Sequence, residues 1–244
     1  MSVTVRAPAK LTIELRITGV RTDGYHLVEA EMVTLELADS LQIDPAGRGL
    51  FATGPYCDGV PLDAGNLVAK ALALVGRTAS VVIDKQIPHG GGLGGGSADA
   101  AAVLRWAGFD DLVAAAGLGA DVAFCLVGGR AHVSGIGEIV APLPAVDEPV
   151  AYTLVIPPLS CSTPAVYRAW DDLGGPTDPG PNDLLAAAIV VEPQLAVWRD
   201  RIRVASGVEP ILAGSGATWF LPGHHAHITA LLPGANVVLT RTTA

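Results

Sequence analysis

An α+β fold in two halves is what this sequence predicts, on three observations. Strand-like and helix-like segments mix without the regular alternation that builds a doubly wound parallel sheet. The opening segment alternates and is rich in β-branched residues, the pattern of half-buried strands. A proline-rich stretch, Pro142 to Pro149, separates two regions that each hold strands and helices, which divides the chain into residues 1–146 and 147–244.

Ser2 to Leu15 reads as strand, and Gly19 to Tyr25, with its Asp-Gly pair, as a turn. Leu27 to Leu37 and Ser40 to Ile43 are further strands. Arg48 to Gly65 is rich in Gly, Pro and Asp and reads as loop. Asn66 to Val75 contains good helix formers and stops before Gly76, a residue suited to a C-cap. Val81 to Asp84 is a short strand. After a glycine-rich stretch, helices are expected at Ala100 to Trp106, Asp110 to Ala116 and Ala120 to Leu126, with Asp121 near the start of the third. Arg130 to Ser134 and Glu138 to Val140 are strands around a Gly-Ile-Gly turn. In the second half, Tyr152 to Ile156 is a strand, Ala165 to Trp170 a helix and Gly174 to Pro181 a loop. Asn182 to Val191 and Gln194 to Val204 are helices. Ile211 to Leu212 and Thr218 to Leu221 flank a Gly-Ser-Gly turn, His224 to Leu231 is a helix, and Ala235 to Leu239 is the last strand. No internal repeat is present.

With 50% hydrophobic and 16% charged residues over 244 positions, the chain can bury a sizeable core. Its formal net charge of −9 excludes a non-specific nucleic-acid binder, which must neutralise phosphates. Any bound anion must therefore be held by backbone N–H groups or a few cations, and the only lysines are Lys10, Lys70 and Lys85. Cys57, Cys125 and Cys161 are far apart and form neither metal spacing nor a disulfide framework, so free thiols are expected. The N-terminus carries Arg6, Lys10 and Glu14 and is not a signal peptide. No apolar run reaches the roughly 20 residues needed to span a bilayer. The expectation is a cytoplasmic protein without a membrane partner.

Pro88-His89-Gly90-Gly91-Gly92-Leu93-Gly94-Gly95-Gly96-Ser97 is the strongest chemical signal. Six glycines in seven positions expose a run of backbone N–H groups, and a helix beginning after them adds the positive end of its dipole. Flexible linkers have polar flanks, whereas this stretch is wedged between a strand and an alanine-rich helix. Gly90-x-Gly92-x-x-Gly95 satisfies the dinucleotide pattern, but Lys85 to His89 intervenes between strand and loop and no βαβ partner follows. Gly96-Ser97 lacks the lysine of a Walker A loop. A cradle for a triphosphate fits, with the Ser97 hydroxyl free to reach a phosphate or Mg²⁺.

This loop resembles the phosphate motif of the GHMP kinases. Pro8-Ala9-Lys10-Leu11, Gly24-Tyr25-His26, Gly119-Ala120-Asp121-Val122, Gly135-Ile136-Gly137-Glu138, Asn182-Asp183-Leu184 and Ala213-Gly214-Ser215-Gly216-Ala217-Thr218 resemble, in order, motifs of the diphosphocytidyl-methylerythritol kinases in that superfamily. The matches span nearly the whole chain. Thr12 stands where those kinases usually carry Asn, and the stretch between Ser97 and Asp121 is short for them.

The resemblance implies a GHMP fold: an N-terminal α+β nucleotide-binding domain and a smaller C-terminal α/β domain, with the active site in the cleft between them. It implies ATP and Mg²⁺, a cytidyl small-molecule substrate, and a monomer or weak homodimer. Another GHMP kinase, acting on homoserine, a mevalonate-type acceptor or a sugar, and a non-catalytic nucleotide binder are the rival readings.

Asp121 is the expected base for the acceptor hydroxyl, although an aspartate before a short helix is also a favoured N-cap. Lys10, in an apolar context, is its expected partner; the alternative is a solvated strand lysine. Tyr25 and Tyr167 are expected to sandwich a cytosine that His26 reads by hydrogen bonds, the alternative being core tyrosines and a surface histidine. Thr12 and Thr163 complete the expected substrate contacts. Asn66 is placed either at the adenosine end of ATP or as a helix cap. Gly214 and Ser215 are expected to close over the phosphates, or to be a plain turn. Ser97 is the one expected metal ligand. His224-His225-x-His227 has no Cys or carboxylate nearby and reads as surface histidine.

Overall fold

The computed structural model describes residues 1–144, 146–176 and 180–243. The expected loop from Gly174 to Pro181 lies partly outside these residues, as do one position of the 142–149 boundary and the last residue.

The alternating N-terminal sequence builds one long antiparallel hairpin, β1 (Val3–Val20) with β2 (His26–Asp44). The two strands expected on either side of Ala38 and Asp39 are one strand. Asp39 is a poor strand former, but its carboxylate is fully buried and receives three donors, so the strand runs through it. β1 changes register between Pro8 and Lys10. Proline cannot donate to a ladder and is tolerated at such irregularities, which re-aim neighbouring side chains.

β4 (Ser80–Asp84) pairs with residues 40–44 of β2, and β5 (Arg130–Gly135) with residues 28–33 on the same edge, opposite β1. β6 (Ile139–Pro142) extends the sheet beyond β5. β3 (Gly49–Thr53) corrects the sequence reading, which gave loop from Arg48 to Gly65. It is a five-residue edge strand running parallel to β4, too short and too glycine-flanked to show a period.

α1 (Leu67–Leu74), α2 (Gly95–Ala107), α3 (Leu112–Leu118) and α4 (Val122–Val127) cover one face of this sheet. Leu41, Ile43, Val81, Ile83, Val103, Leu104 and Phe124 lie in the core they enclose. α2 starts five residues before the expected Ala100. Gly95, Gly96 and Ser97 are therefore its first turn, and the helix N-terminus opens inside the glycine run.

The second half forms a four-stranded antiparallel sheet in the order β10 (Asn236–Arg241), β7 (Ala151–Ile156), β9 (Trp219–Pro222), β8 (Ile211–Leu212). α5 (Thr163–Asp172), α6 (Leu185–Val191), α7 (Gln194–Ser206) and a 3₁₀ helix (Ala226–Leu231) pack on it around Trp198 and Trp219. A third cluster joins the halves: Leu11, Val33 and Leu35 of the hairpin meet Leu154, Ile156 and Phe220, with Ile87 and Leu93 of the glycine loop between them. The loop is thus packed into the seam between the two sheets.

Candidate active site

The glycine loop is held from two sides. The Lys10 amide of β1 donates to the Leu93 carbonyl at 3.0 Å, and the Thr218 amide donates to the Gly91 carbonyl at 3.3 Å. Gly92 and Gly94 show why side chains are excluded. Both have positive φ, 75° and 67°. A Cβ on Gly92 would overlap the Ala213 carbonyl oxygen, and one on Gly94 would lie 2.7 Å from Lys10 Cγ. The loop therefore touches both the second-half glycine turn and the lysine that it is expected to serve.

Lys10 is 5% exposed, and its Nζ lies 3.2 Å from Asp121 Oδ2 and 3.0 Å from Thr12 Oγ1, to which it donates. Of the two readings open for Lys10, burial in a cleft holds. Asp121 precedes α4 but makes no side-chain capping bond, so its carboxylate faces the lysine instead. Thr12 keeps a polar grip on the ammonium through its Oγ1.

A cleft of about 670 Å³ opens at this pair. Lys10, Thr12, Gly92, Asp121, Gly214 and Ser215 line one part of it, and Tyr25, His26, Thr163 and Tyr167 another. The rest of the glycine loop (Pro88, Gly90, Gly91, Leu93, Gly94, Gly95, Gly96, Ser97) does not line that volume but adjoins it through Gly92. Two of the three residues named for the nucleobase, His26 and Tyr167, pack against each other in the cleft. His26 sits 4.8 Å from Tyr167, ring centroid to centroid, and 5.6 Å edge-on from Trp170. Tyr25 stands 60% exposed at the rim. Burial, with the Asp121 carboxylate as a lesser cause, pushes the Tyr167 phenol up to about 12, so it is a neutral donor at physiological pH.

Asp171 is the residue the sequence reading missed. His26 Nε2 lies 2.7 Å from Asp171 Oδ1. The signal was available: Thr163, Tyr167 and Asp171 are spaced i, i+4, i+8 and share one face of α5. Thr163 Oγ1 is 2.8 Å from Ser215 Oγ, which ties α5 to the second glycine turn. Asn182 explains the Asn-Asp-Leu motif. Its side-chain amide donates to the carbonyls of Leu212 and Gly214 at 2.8 and 2.7 Å and so shapes that turn. Asp183 anchors β1, accepting from the Ile17 amide and from Arg16.

Asn66 lies outside the cleft. Its side chain caps α1 through the Val68 amide at 2.8 Å and donates to the Pro61 carbonyl at 2.7 Å, so the cap reading accounts for its polar atoms. The next residue, Leu67, reaches within 3.7 Å of a Cβ built on Gly96, which sets the start of α1 beside the loop. His224 and His225 each place Nε2 against a backbone carbonyl, of Thr240 and Pro222. No cluster of three or more metal-ligating side chains occurs among the described residues. None of their helices is long and apolar enough to cross a membrane.

Residues 66–129 match the GHMP kinases N terminal domain. The 4-diphosphocytidyl-2-C-methyl-D-erythritol kinase of Paracoccus denitrificans (strain Pd 1222) is 40% identical over 232 residues, covering 88% of this chain and 84% of that protein. The enzyme of the same name from Jannaschia sp. (strain CCS1) is 37% identical over 239 residues, covering 88% and 86%. Among solved structures, a 4-(cytidine 5'-diphospho)-2C-methyl-D-erythritol kinase superposes with a TM-score of 0.78 at 32% identity, over 99% of this chain and 100% of the other. A mevalonate kinase of L. major in complex with R-mevalonate, at 14% identity, shares the fold with a TM-score of 0.66 over 98% and 95% of the two chains. With a matching fold, phosphate loop and ordered motifs, the chain belongs to the 4-diphosphocytidyl-2-C-methyl-D-erythritol kinases of the GHMP superfamily, ATP-dependent small-molecule kinases.

Proposed function

We propose that this protein transfers the γ-phosphoryl group of ATP to the 2-hydroxyl of 4-diphosphocytidyl-2-C-methyl-D-erythritol, giving the 2-phosphate and ADP in the non-mevalonate route to isoprenoid precursors. The observation that carries the reading is the convergence of Tyr25, His26 and Tyr167 on the same cleft as Lys10 and Asp121. A homoserine or mevalonate acceptor gives an aromatic box nothing to stack on, whereas a cytosine gains about 1–3 kcal/mol from each aromatic face.

Phosphoryl transfer asks a protein mainly for positioning and charge neutralisation. Asp121 accepts the proton of the acceptor hydroxyl as the oxygen attacks phosphorus. Lys10, 3.2 Å from that carboxylate, offsets charge developing on the transferred group. Glycine-loop amides and the α2 N-terminus face the phosphates, and Gly214 and Ser215 close over them from the second half. The cytosine lies between Tyr25 and Tyr167 with His26, oriented by Asp171, at its edge; Thr12 and Thr163 complete the acceptor contacts. Asn66 shapes the adenosine end by fixing the start of α1.

The residues fit a Mg²⁺ carried in on the triphosphate, since Mg²⁺ binds through substrate phosphates with one or two protein oxygens rather than an all-protein cage. Ser97, in the first turn of α2, would hold it, and the ion would supply charge neutralisation for the phosphates. In this reading residues 1–146 are the ATP-binding domain and 147–244 the smaller domain, each supported by its own sheet. The working form is a cytoplasmic monomer or weak homodimer.

Purified protein given ATP and Mg²⁺ should release ADP with the cytidyl substrate and not with homoserine or mevalonate. Release with homoserine alone would select a different kinase, and binding of ATP without turnover on any acceptor would select a non-catalytic nucleotide binder.

A further inference from the structure

Behind the glycine loop lies a group of three buried charges that the chemistry above does not use. Lys85 is 3% exposed, Asp39 fully buried and Asp99 3% exposed. Lys85 Nζ pairs with Asp39 Oδ2 and, at 2.8 Å, with Asp99 Oδ2. Asp39 Oδ1 also accepts the two backbone amides at the start of the loop, Gln86 at 2.5 Å and Ile87 at 2.7 Å.

Placement makes this more than a core ion pair. Lys85 is the first residue after β4 and Asp99 lies in the second turn of α2, so their bond ties together the two ends of the segment that carries the loop. Stability alone explains it poorly. Buried ion pairs are often no better than apolar residues of equal volume. One oxygen here, Asp99 Oδ1, has no hydrogen-bond partner among the described residues and adds a penalty. What three charges supply and apolar side chains do not is a fixed direction and length.

We propose that Lys85, Asp39 and Asp99 are positioning residues for ATP. The buried ammonium clips the start of the loop to α2 and sets the spacing between the loop amides and the helix N-terminus on which the triphosphate sits. The inference rests on the reading that this loop holds the triphosphate.

The test compares wild type with Asp99→Asn, which keeps the shape and removes the charge, and with Lys85→Arg, which keeps the charge and changes the length. Ile202→Val, in the second-half core, serves as a control for general loss of stability. Both loop variants should raise KM for ATP on the order of tenfold, as small misplacements of positioning groups do. KM for the cytidyl substrate should stay within about twofold. Amide hydrogen exchange across residues 86–98 of the unliganded protein should quicken in both. The control should move neither, at a matched loss of thermal midpoint. Unchanged exchange and unchanged KM for ATP in the folded variants, or an equal rise in both KM values, overturns the clip. Wild-type protein that releases no ADP would count against the functional reading alone, because the exchange measurement needs no turnover.

Discussion

Replacing Asp121 with asparagine keeps the size of the side chain and removes both the proton acceptor and the charge facing Lys10. At the 3.2 Å separation of Nζ and Oδ2, Coulomb's law gives about 5 kcal/mol of gross attraction at an effective dielectric near 20, and about 1 kcal/mol in bulk water. The lysine side chain is 6% exposed and the carboxylate 29%, so screening brings the coupling between those limits, to about 2–3 kcal/mol. A positioned general base contributes about 10²–10⁴-fold, or roughly 3–5 kcal/mol of barrier. Single-turnover rates at saturating ATP and cytidyl substrate should therefore fall by about 10²–10⁴ in Asp121→Asn, and by a similar factor in Lys10→Met. Because the two act as a unit, Lys10→Met/Asp121→Asn should be no more than about tenfold slower than the worse single variant. Losses that add to within about 0.5 kcal/mol would refute coupling of the pair. An Asp121→Asn enzyme turning over at the wild-type rate would remove the base altogether.

Three further outcomes are expected. Gly94→Ala introduces a Cβ 2.7 Å from Lys10 Cγ at a φ of 67°, so chemical denaturation should show about 1–2 kcal/mol of lost stability. Its kcat should fall more than its KM for the cytidyl substrate, because the group displaced is Lys10. Asp171→Asn removes the charged partner of His26; with Asp171 46% exposed the pair is screened, so KM for the cytidyl substrate should rise only about two- to fivefold. The Tyr167 phenol, raised to about 12, favours the folded state fully below the unfolded value near 10, and loses that preference as pH climbs through 12. Stability measured between pH 9 and 12 should therefore fall more steeply in wild type than in Tyr167→Phe, by about 2–3 kcal/mol across the window.

How much of this was legible in the sequence depended on whether a residue's task is local. Gly92, Gly94 and Ser97 stood out as candidates because a glycine run ahead of an alanine-rich helix has few other uses, although where the helix begins was not visible: glycine propensity argues against Gly95 as a first helical residue. Tyr25, His26 and Tyr167 could be named as candidates, but His26 and Tyr167 are 141 positions apart and only the fold brings their rings to 4.8 Å. β3 carried no period. Asp39 was hidden for the opposite reason. A single aspartate between strand segments reads as a break, and its actual partners, Lys85 and the amides that follow, lie more than forty positions away.

Two features that the sequence reading set apart from the family, Thr12 and the stretch before Asp121, bear on the base rather than on the fold. In the structure neither separates Asp121 from Lys10. Thr12 Oγ1 accepts from the ammonium at 3.0 Å and so performs a task that a longer amide could share. The stretch before Asp121 is compact. Between the end of α2 and the start of α4 there is room only for the seven residues of α3 and two tight connections. Gly119 then comes back against the beginning of α2, where a Cβ on it would lie 3.8 Å from Ser97 Oγ. The position of Asp121 is set at the near end of this segment, where α4 packs on α2 through Phe124 and Val122. The carboxylate therefore reaches Lys10 because the helix N-termini, not the hairpin length, fix its place.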